Sequence, residues 1–263
     1  MFLVDSHCHL NLMDLTTDEY NLDKVIDRSK KCDVQYILNV CMNFKDFSEV
    51  LKIGEYYPEV GSSIGLHPND QKDNVERDIL LSKAQHEKII AIGETGLDYF
   101  HPNSQCEQQR EWFRDHIRIA KKVKKPLIIH TRAAKKDTLQ ILQEENASEV
   151  GGVMQCFNED WDMAKKAMDM NFFISFAGLV TYKNRVSLNK IAKSVPLDKI
   201  LIETDSPYFS PSPYQDKQNE PAFLRLIAKY LSELRKLPLE EFAFATTQNF
   251  FNLFKNAVKP NQI

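Results

Sequence analysis

The sequence predicts an α/β fold of one kind, a TIM (β/α)8 barrel, and three observations carry that expectation. Eight short apolar runs of strand length alternate with amphipathic helical stretches over 263 residues, the arithmetic of eight β/α units. The histidines and carboxylates best suited to chemistry stand directly after those runs, on the barrel face that gathers the loops. The first run leads into Asp5-Ser6-His7-Cys8-His9, which contains no glycine. A doubly wound open sheet usually places a glycine-rich phosphate loop there, so it is the weaker architecture.

In chain order, Phe2-Leu3-Val4 begins the first strand, 2–5, and the spaced apolar residues of 22–31 form the first helix. Strand 35–40 precedes helix 47–56, and strand 59–65 ends in Leu66-His67-Pro68. A helix at 75–86 leads to strand 89–93, which runs into Glu94-Thr95-Gly96-Leu97-Asp98. The long amphipathic stretch 105–123 stops before Pro126, and strand 127–129 ends in His130-Thr131-Arg132. Helix 137–145, strand 152–154 ending at Gln155-Cys156-Phe157, helix 161–169 and strand 172–176 follow. Helix 188–194 leads to strand 199–202, ending in Glu203-Thr204-Asp205-Ser206-Pro207, and helices at 222–234 and 239–253 close the chain. Ser210-Pro211-Ser212-Pro213 reads as a loop, and no linker or repeat divides residues 1–263, so one domain is expected.

A hydrophobic fraction of 43% and a charged fraction of 27% are ordinary for a globular chain. No apolar run approaches the roughly 20 residues that span a bilayer, and the N-terminus lacks the basic region of a secretory signal. A cytoplasmic protein with no membrane association is expected. Cys8, Cys32, Cys41, Cys106 and Cys156 are odd in number and form no CxxC pair, which reads as free thiols. A net charge of −3 argues against a broad duplex-coating surface, so any nucleic acid is held by a local site. The run Lys121-Lys122-Val123-Lys124-Lys125 ends a helix and enters a strand on the far face of the barrel, where lysines complement the helix dipole. Phe242, Phe244, Phe250, Phe251 and Phe254 read as the core face of the last helix.

The chemistry gathers at strand ends. His7 and His9, two apart on a strand, project to one side. His67, Glu94, His130 and Asp205 join them from four other strands, a ring of imidazoles and carboxylates suited to a divalent cation. Glu94 has two oxygens and can bridge two ions about 3.5–4 Å apart.

Several segments together resemble the signatures of the TatD family, metal-dependent deoxyribonucleases among the amidohydrolase-like barrels. They are Asp5-Ser6-His7-Cys8-His9-Leu10, Gly65-Leu66-His67-Pro68, Ile92-Gly93-Glu94-Thr95-Gly96-Leu97-Asp98-Tyr99, Pro126-Leu127-Ile128-Ile129-His130-Thr131-Arg132 and Glu203-Thr204-Asp205-Ser206-Pro207-Tyr208. Asn219-Glu220-Pro221-Ala222 fits as well, and the likeness covers essentially the whole chain. It implies that His7, His9 and Asp205 hold one ion, that Glu94 bridges, and that His130 holds a second. It also implies hydrolysis of DNA phosphodiesters, as a 3′ exonuclease acting on single-stranded DNA or DNA 3′ ends. One or two divalent ions per chain are expected, Mg²⁺ or Mn²⁺ first and Zn²⁺ as the alternative.

Three features depart from the family pattern. Gln155 stands where a histidine usually completes the second ion's ligands, so that ion is expected to bind less fully or to be an oxygen-preferring one. Ala133 replaces a common acidic residue, and Gln215-Asp216-Lys217 replaces Arg-Gly-Lys, which weakens attraction for a phosphate backbone. Asp205 is expected to accept the proton of the attacking water. Arg132 is the expected phosphate contact, with His67 and Lys217 near the substrate and Tyr99, beside Phe100, stacking on a terminal base. Cys8 and Cys156 read as small buried residues. Two other readings compete: hydrolysis of another ester or amide, such as a D-aminoacyl-tRNA, and a non-catalytic binding relative.

Overall fold

The computed structural model describes residues 1–16, 21–70, 77–101 and 105–259. Eight parallel strands run in sequence order around a nearly closed barrel. They are β1 (Leu3–Cys8), β2 (Val34–Asn39), β3 (Val60–Ile64), β4 (Ile89–Asp98), β5 (Leu127–Arg132), β6 (Gly152–Met154), β7 (Phe172–Phe176) and β8 (Ile200–Ile202). The helices between them are α1 (Leu22–Lys31), α2 (Phe47–Tyr56), α3 (Arg77–Ala84), α4 (Cys106–Val123), α5 (Lys135–Glu144), α6 (Trp161–Asp169) and α7 (Val186–Ser194). Two more, α8 (Leu224–Arg235) and α9 (Leu239–Leu253), follow β8. The TIM barrel expectation holds. Residues 75 and 76 of the expected third helix lie outside the described residues. Among the described residues no helix is long and apolar enough to cross a membrane.

Alternation along the strands, interrupted in β4 where Ser62 pairs with Ile89 but Ser63 with Ala91, produces two apolar layers. Leu3, Ile37, Ile64, Ile92, Ile129 and Ile174 pack outward against the helices. Val4, Leu38, Ile90, Ile128, Val153 and Leu201 form a second cluster with Phe250 and Phe254 of α9. The last helix therefore closes one end of the lumen with aromatic side chains. The core reading of its phenylalanines needs one correction: Phe244 is 67% exposed, because it falls on the opposite side of the helix from Phe242 and Phe250. Lys125 is buried, its Nζ donating to the carbonyls of Ala84 at 2.6 Å and His86 at 2.9 Å.

Three strands outrun their expected ends. β1 continues to Cys8, β5 to Arg132 and β4 to Asp98, so the ionisable residues at these positions are strand residues, not loop residues. In β4 the cause is glycine. Gly96 has φ +137°, and a Cβ there would lie 2.0 Å from the His130 carbonyl oxygen. Only glycine allows β4 that close to β5, which keeps Gly96 paired with His130 and Asp98 with Arg132. The other bounds fall within two residues of expectation.

Candidate metal centre

Two imidazoles and two carboxylates converge from the ends of β1 and β8 and the middle of β4. His7 Nε2 lies 3.1 Å from His9 Nε2, 3.4 Å from Glu94 Oε2 and 3.7 Å from Asp205 Oδ1. His9 Nε2 lies 3.8 Å from Glu94 Oε2 and 3.5 Å from Asp205 Oδ1. Donors placed tetrahedrally about 2.0–2.2 Å from one cation are separated by about 3.3–3.6 Å, so these side chains fit a divalent ion. His9 Nδ1 donates to the Val40 carbonyl oxygen at 2.9 Å, which leaves the Nε2 lone pair free to ligate. Asp205 sits at φ +57°, a conformation disfavoured for any residue with a Cβ. Its N–H donates to the His7 carbonyl at 2.9 Å, so the bond that closes β8 onto β1 also sets the carboxylate.

Glu94 turns its other oxygen to a second group. Oε1 lies 3.1 Å from His130 Nδ1, 3.8 Å from His67 Nε2 and 2.5 Å from Gln155 Nε2. His7, His9 and Glu94 form one set of close donor atoms, and His67, Glu94 and His130 another. One buried carboxylate thus serves both. Burial alone would raise the Glu94 carboxyl, but His67, His7 and His130 carry it well below the usual range. Burial lowers the His130 imidazole, yet Asp98 and Glu94 outweigh it and raise the group to about 9. Burial, reinforced by His130, pushes His67 down to about 4, leaving a neutral ring with a lone pair for a ligand.

Asp98 went unassigned in the sequence reading. Its Oδ2 lies 3.2 Å from His130 Nε2 and accepts from Asn69 Nδ2 at 2.8 Å, which fixes the ring that presents Nδ1 to Glu94. The signal was Asp98 within the β4 segment, but its pairing depends on the β4–β5 register. Asp5 was also missed. It accepts from the Thr204 N–H at 2.8 Å and the Thr204 hydroxyl at 2.5 Å, and burial pushes its carboxyl up to about 7. Glu203 Oε1 accepts the Cys156 N–H at 2.7 Å. Asn219 Nδ2 donates to the Thr204 and Tyr208 carbonyls. These groups form a polar layer beneath the ligand side chains.

A cleft of about 370 Å³ opens above. His9, His67, Glu94, His130, Gln155, Asp205 and Arg132 line it, while His7 is fully buried beneath. Arg185, Tyr208 and Phe209 also line it, and sequence reading had singled out none of them. Cys8 is buried as expected, but Cys156 is only partly buried and reaches the cleft. Tyr99 and Lys217 do not line it. The Tyr99 hydroxyl donates to Asp137 Oδ2 at 2.9 Å and accepts from Arg110 at 3.1 Å, so this ring is committed to α4 and α5. Lys217 is exposed, with its Nζ 5.1 Å from the Tyr214 ring centroid.

A barrel whose mouth gathers buried imidazoles around a shared carboxylate defines the class of metal-dependent hydrolases. The chain belongs to the TatD-related DNase family, whose profile matches residues 4–255. It is 41% identical over 254 residues to an uncharacterized metal-dependent hydrolase of Escherichia coli K12, YcfH, spanning 97% of this chain and 96% of that one. It is 30% identical over 268 residues to a human protein named deoxyribonuclease TATDN3, spanning 96% and 94%. The crystal structure of YJJV, a TatD homologue from Escherichia coli K12, superposes with a TM-score of 0.88 at 26% identity, covering 96% and 98% of the two chains.

Proposed function

We propose that this hydrolase cleaves phosphodiester bonds in single-stranded DNA, removing nucleotides from 3′ ends with Mg²⁺ or Mn²⁺, Zn²⁺ being the alternative. The observation that carries the reading is the division of Glu94, one oxygen toward His7 and His9 and the other toward His67, His130 and Gln155. Two adjacent donor sets sharing a carboxylate suit the displacement at phosphorus that two-metal nucleases perform. The deoxyribonuclease name of the human relative supports the choice of substrate.

His7, His9 and Asp205 would hold one ion, His67 and His130 with the Gln155 amide a second, and Glu94 both. When bound, such ions make water acidic enough to ionise near neutral pH. Asp205, at the floor of the cleft, takes the proton of the attacking water. Asp98 keeps the His130 ring turned toward Glu94 throughout. Arg132, on the cleft wall, meets a substrate phosphate. His67 belongs to the second donor set and also lines the cleft, which suits contact with either ion or substrate.

The test is nucleotide release from a 3′-labelled single-stranded oligonucleotide, with Mg²⁺, Mn²⁺ or chelator, for the wild type and Asp205→Asn. Metal-dependent stepwise shortening is expected, slowed about 10²–10⁴-fold in the variant. A folded, metal-loaded protein that cuts no oligonucleotide would overturn the proposal and turn attention to other esters or amides, such as aminoacyl-tRNA.

A further inference from the structure

The chain has nine arginines and 37 acidic residues, and the structure divides the arginines by partner. Arg28, Arg77 and Arg225 pair with Glu220, Asp115 and Asp33. Arg110, Arg114 and Arg118, along one face of α4, pair with Asp137, Glu144 and Glu145. Arg235 donates to the carbonyls that end α7. Arg132 and Arg185 are the remaining two, and both line the cleft above the metal-binding side chains. Among the described residues, neither has a carboxylate partner. With acidic residues in excess, this is not a shortage of counter-charge.

The two are also placed alike. Arg132 ends β5, and Arg185 stands just before α7, in the loop that follows β7. Only β6 separates those strands, so both guanidiniums rise from one side of the barrel mouth. The Arg132 guanidinium lies 3.6 Å from the Phe100 ring centroid, a stack that orients the fork and, among the described residues, leaves its donors unused. Arg185 reaches Asn158 Oδ1 at 3.3 Å, and its Nε is buried without a partner among the described residues. A buried guanidinium N–H left without an acceptor is costly, and a bound anion would satisfy it. Glu159 lines the same wall but forms no ion pair with either arginine among the described residues.

We propose that Arg132 and Arg185 form an anion subsite for a phosphate other than the one being cut. The substrate is then a chain with at least two phosphates, an oligonucleotide and not a simple phosphate ester. This rests on the phosphodiesterase reading above. Arg132 is exposed two residues past His130 at the end of β5 and Arg185 is half-buried in the loop beyond β7, whereas Glu94 and Asp205 are buried at the base of the same cleft, so the subsite lies beside the reacting centre and grips the neighbouring linkage.

The experiment is a cycle of kcat/KM measurements on a thymidine trinucleotide, with the penultimate linkage either native or a neutral methylphosphonate. In the wild type, neutralising that linkage should lower kcat/KM about tenfold or more. In Arg185→Ala and Arg132→Ala most of that penalty should vanish, since the partner is already gone. Arg185→Lys should restore only part of it, the fork being lost. An undiminished methylphosphonate penalty in Arg185→Ala would overturn the subsite while leaving the nuclease intact. Binding of a labelled thymidine oligomer in excess chelator gives a readout without catalysis. Each alanine variant should reduce the slope of log Kd against log salt by about 0.7, and unchanged slopes would overturn the subsite. If the wild type cuts no oligonucleotide, the phosphodiesterase reading fails, and calorimetry with inorganic pyrophosphate then decides the subsite. Weaker binding in Arg185→Ala supports it, and equal binding overturns it.

Discussion

Gln155 is the residue on which the second donor set turns. Its amide nitrogen donates to Glu94 Oε1 at 2.5 Å and lies 3.2 Å from His130 Nδ1. Its own Oε1 is buried without a partner. An N–H thus sits against Glu94 Oε1 where a cation's positive charge would otherwise be needed, and a neutral amide is a weaker ligand than imidazole. Gln155→His should raise the metal content per chain toward two, as read by elemental analysis of the purified protein, and should raise the cleavage rate with it. A variant that changes neither would rule out this account. Of the residues named from the sequence, His9, Glu94, His130, Gln155 and Asp205 line the cleft and His7 is buried beneath it, because apolar runs locate the strands that carry them. Sequence reading placed Tyr99 there too, and Tyr99 instead bonds Asp137, a partner that only the packing of α5 against β4 and α4 supplies.

At the scale of elements, α4 is fastened to the end of β3 through one histidine. The Leu66 N–H donates to His116 Nε2 at 3.1 Å, and His116 Nδ1 donates to the Trp112 carbonyl oxygen at 2.7 Å. The ring is fully buried and neutral, and burial pushes its pKa down to about 4. The unfolded chain titrates this group near 6.5. Between those values the unfolded state takes up a proton that the native state refuses. The stabilising contribution is therefore full above about pH 6.5 and falls as pH drops toward 4, by up to about 3 kcal/mol. Urea unfolding in chelator at pH 7 and pH 5 should show this loss in the wild type, and His116→Gln should lack that part of it. Equal pH dependence in both proteins would mean His116 is not the group responsible. His67 follows Leu66 directly, so the same bond steadies a cleft residue.

For the whole molecule, barrel closure and site assembly are one event. The Asp205 N–H to His7 carbonyl bond, the His9 N–H to Ser206 carbonyl bond at 2.8 Å, and the Asp5–Thr204 pair all join β1 to β8. In the unfolded chain these groups are nearly 200 positions apart, so a divalent ion binds the native state far better than the unfolded one. An ion at 100 times its Kd stabilises by about 2.7 kcal/mol, equivalent to a melting temperature roughly 5–10 °C higher for a chain of this size. Chelation should lower the calorimetric midpoint by that amount, and added Mg²⁺ or Mn²⁺ should restore it. An unchanged midpoint would show that the buried imidazoles are stable without an ion.

The sequence by itself determined the barrel, the order of its elements and the residue types at its mouth. Those follow from local periodicity and from the rule that side chains alternate along a strand. Tertiary structure decided the rest. Gly96 brings β4 within reach of β5, so that Asp98 meets His130 across the ladder. Glu94 divides its oxygens only because four strands deliver histidines and Gln155 from both sides. Arg132 and Arg185 stand out only once every other arginine is seen to have found a partner. Pairing depends on distance in space, which local sequence pattern does not encode, whereas period and strand length are written in the chain itself.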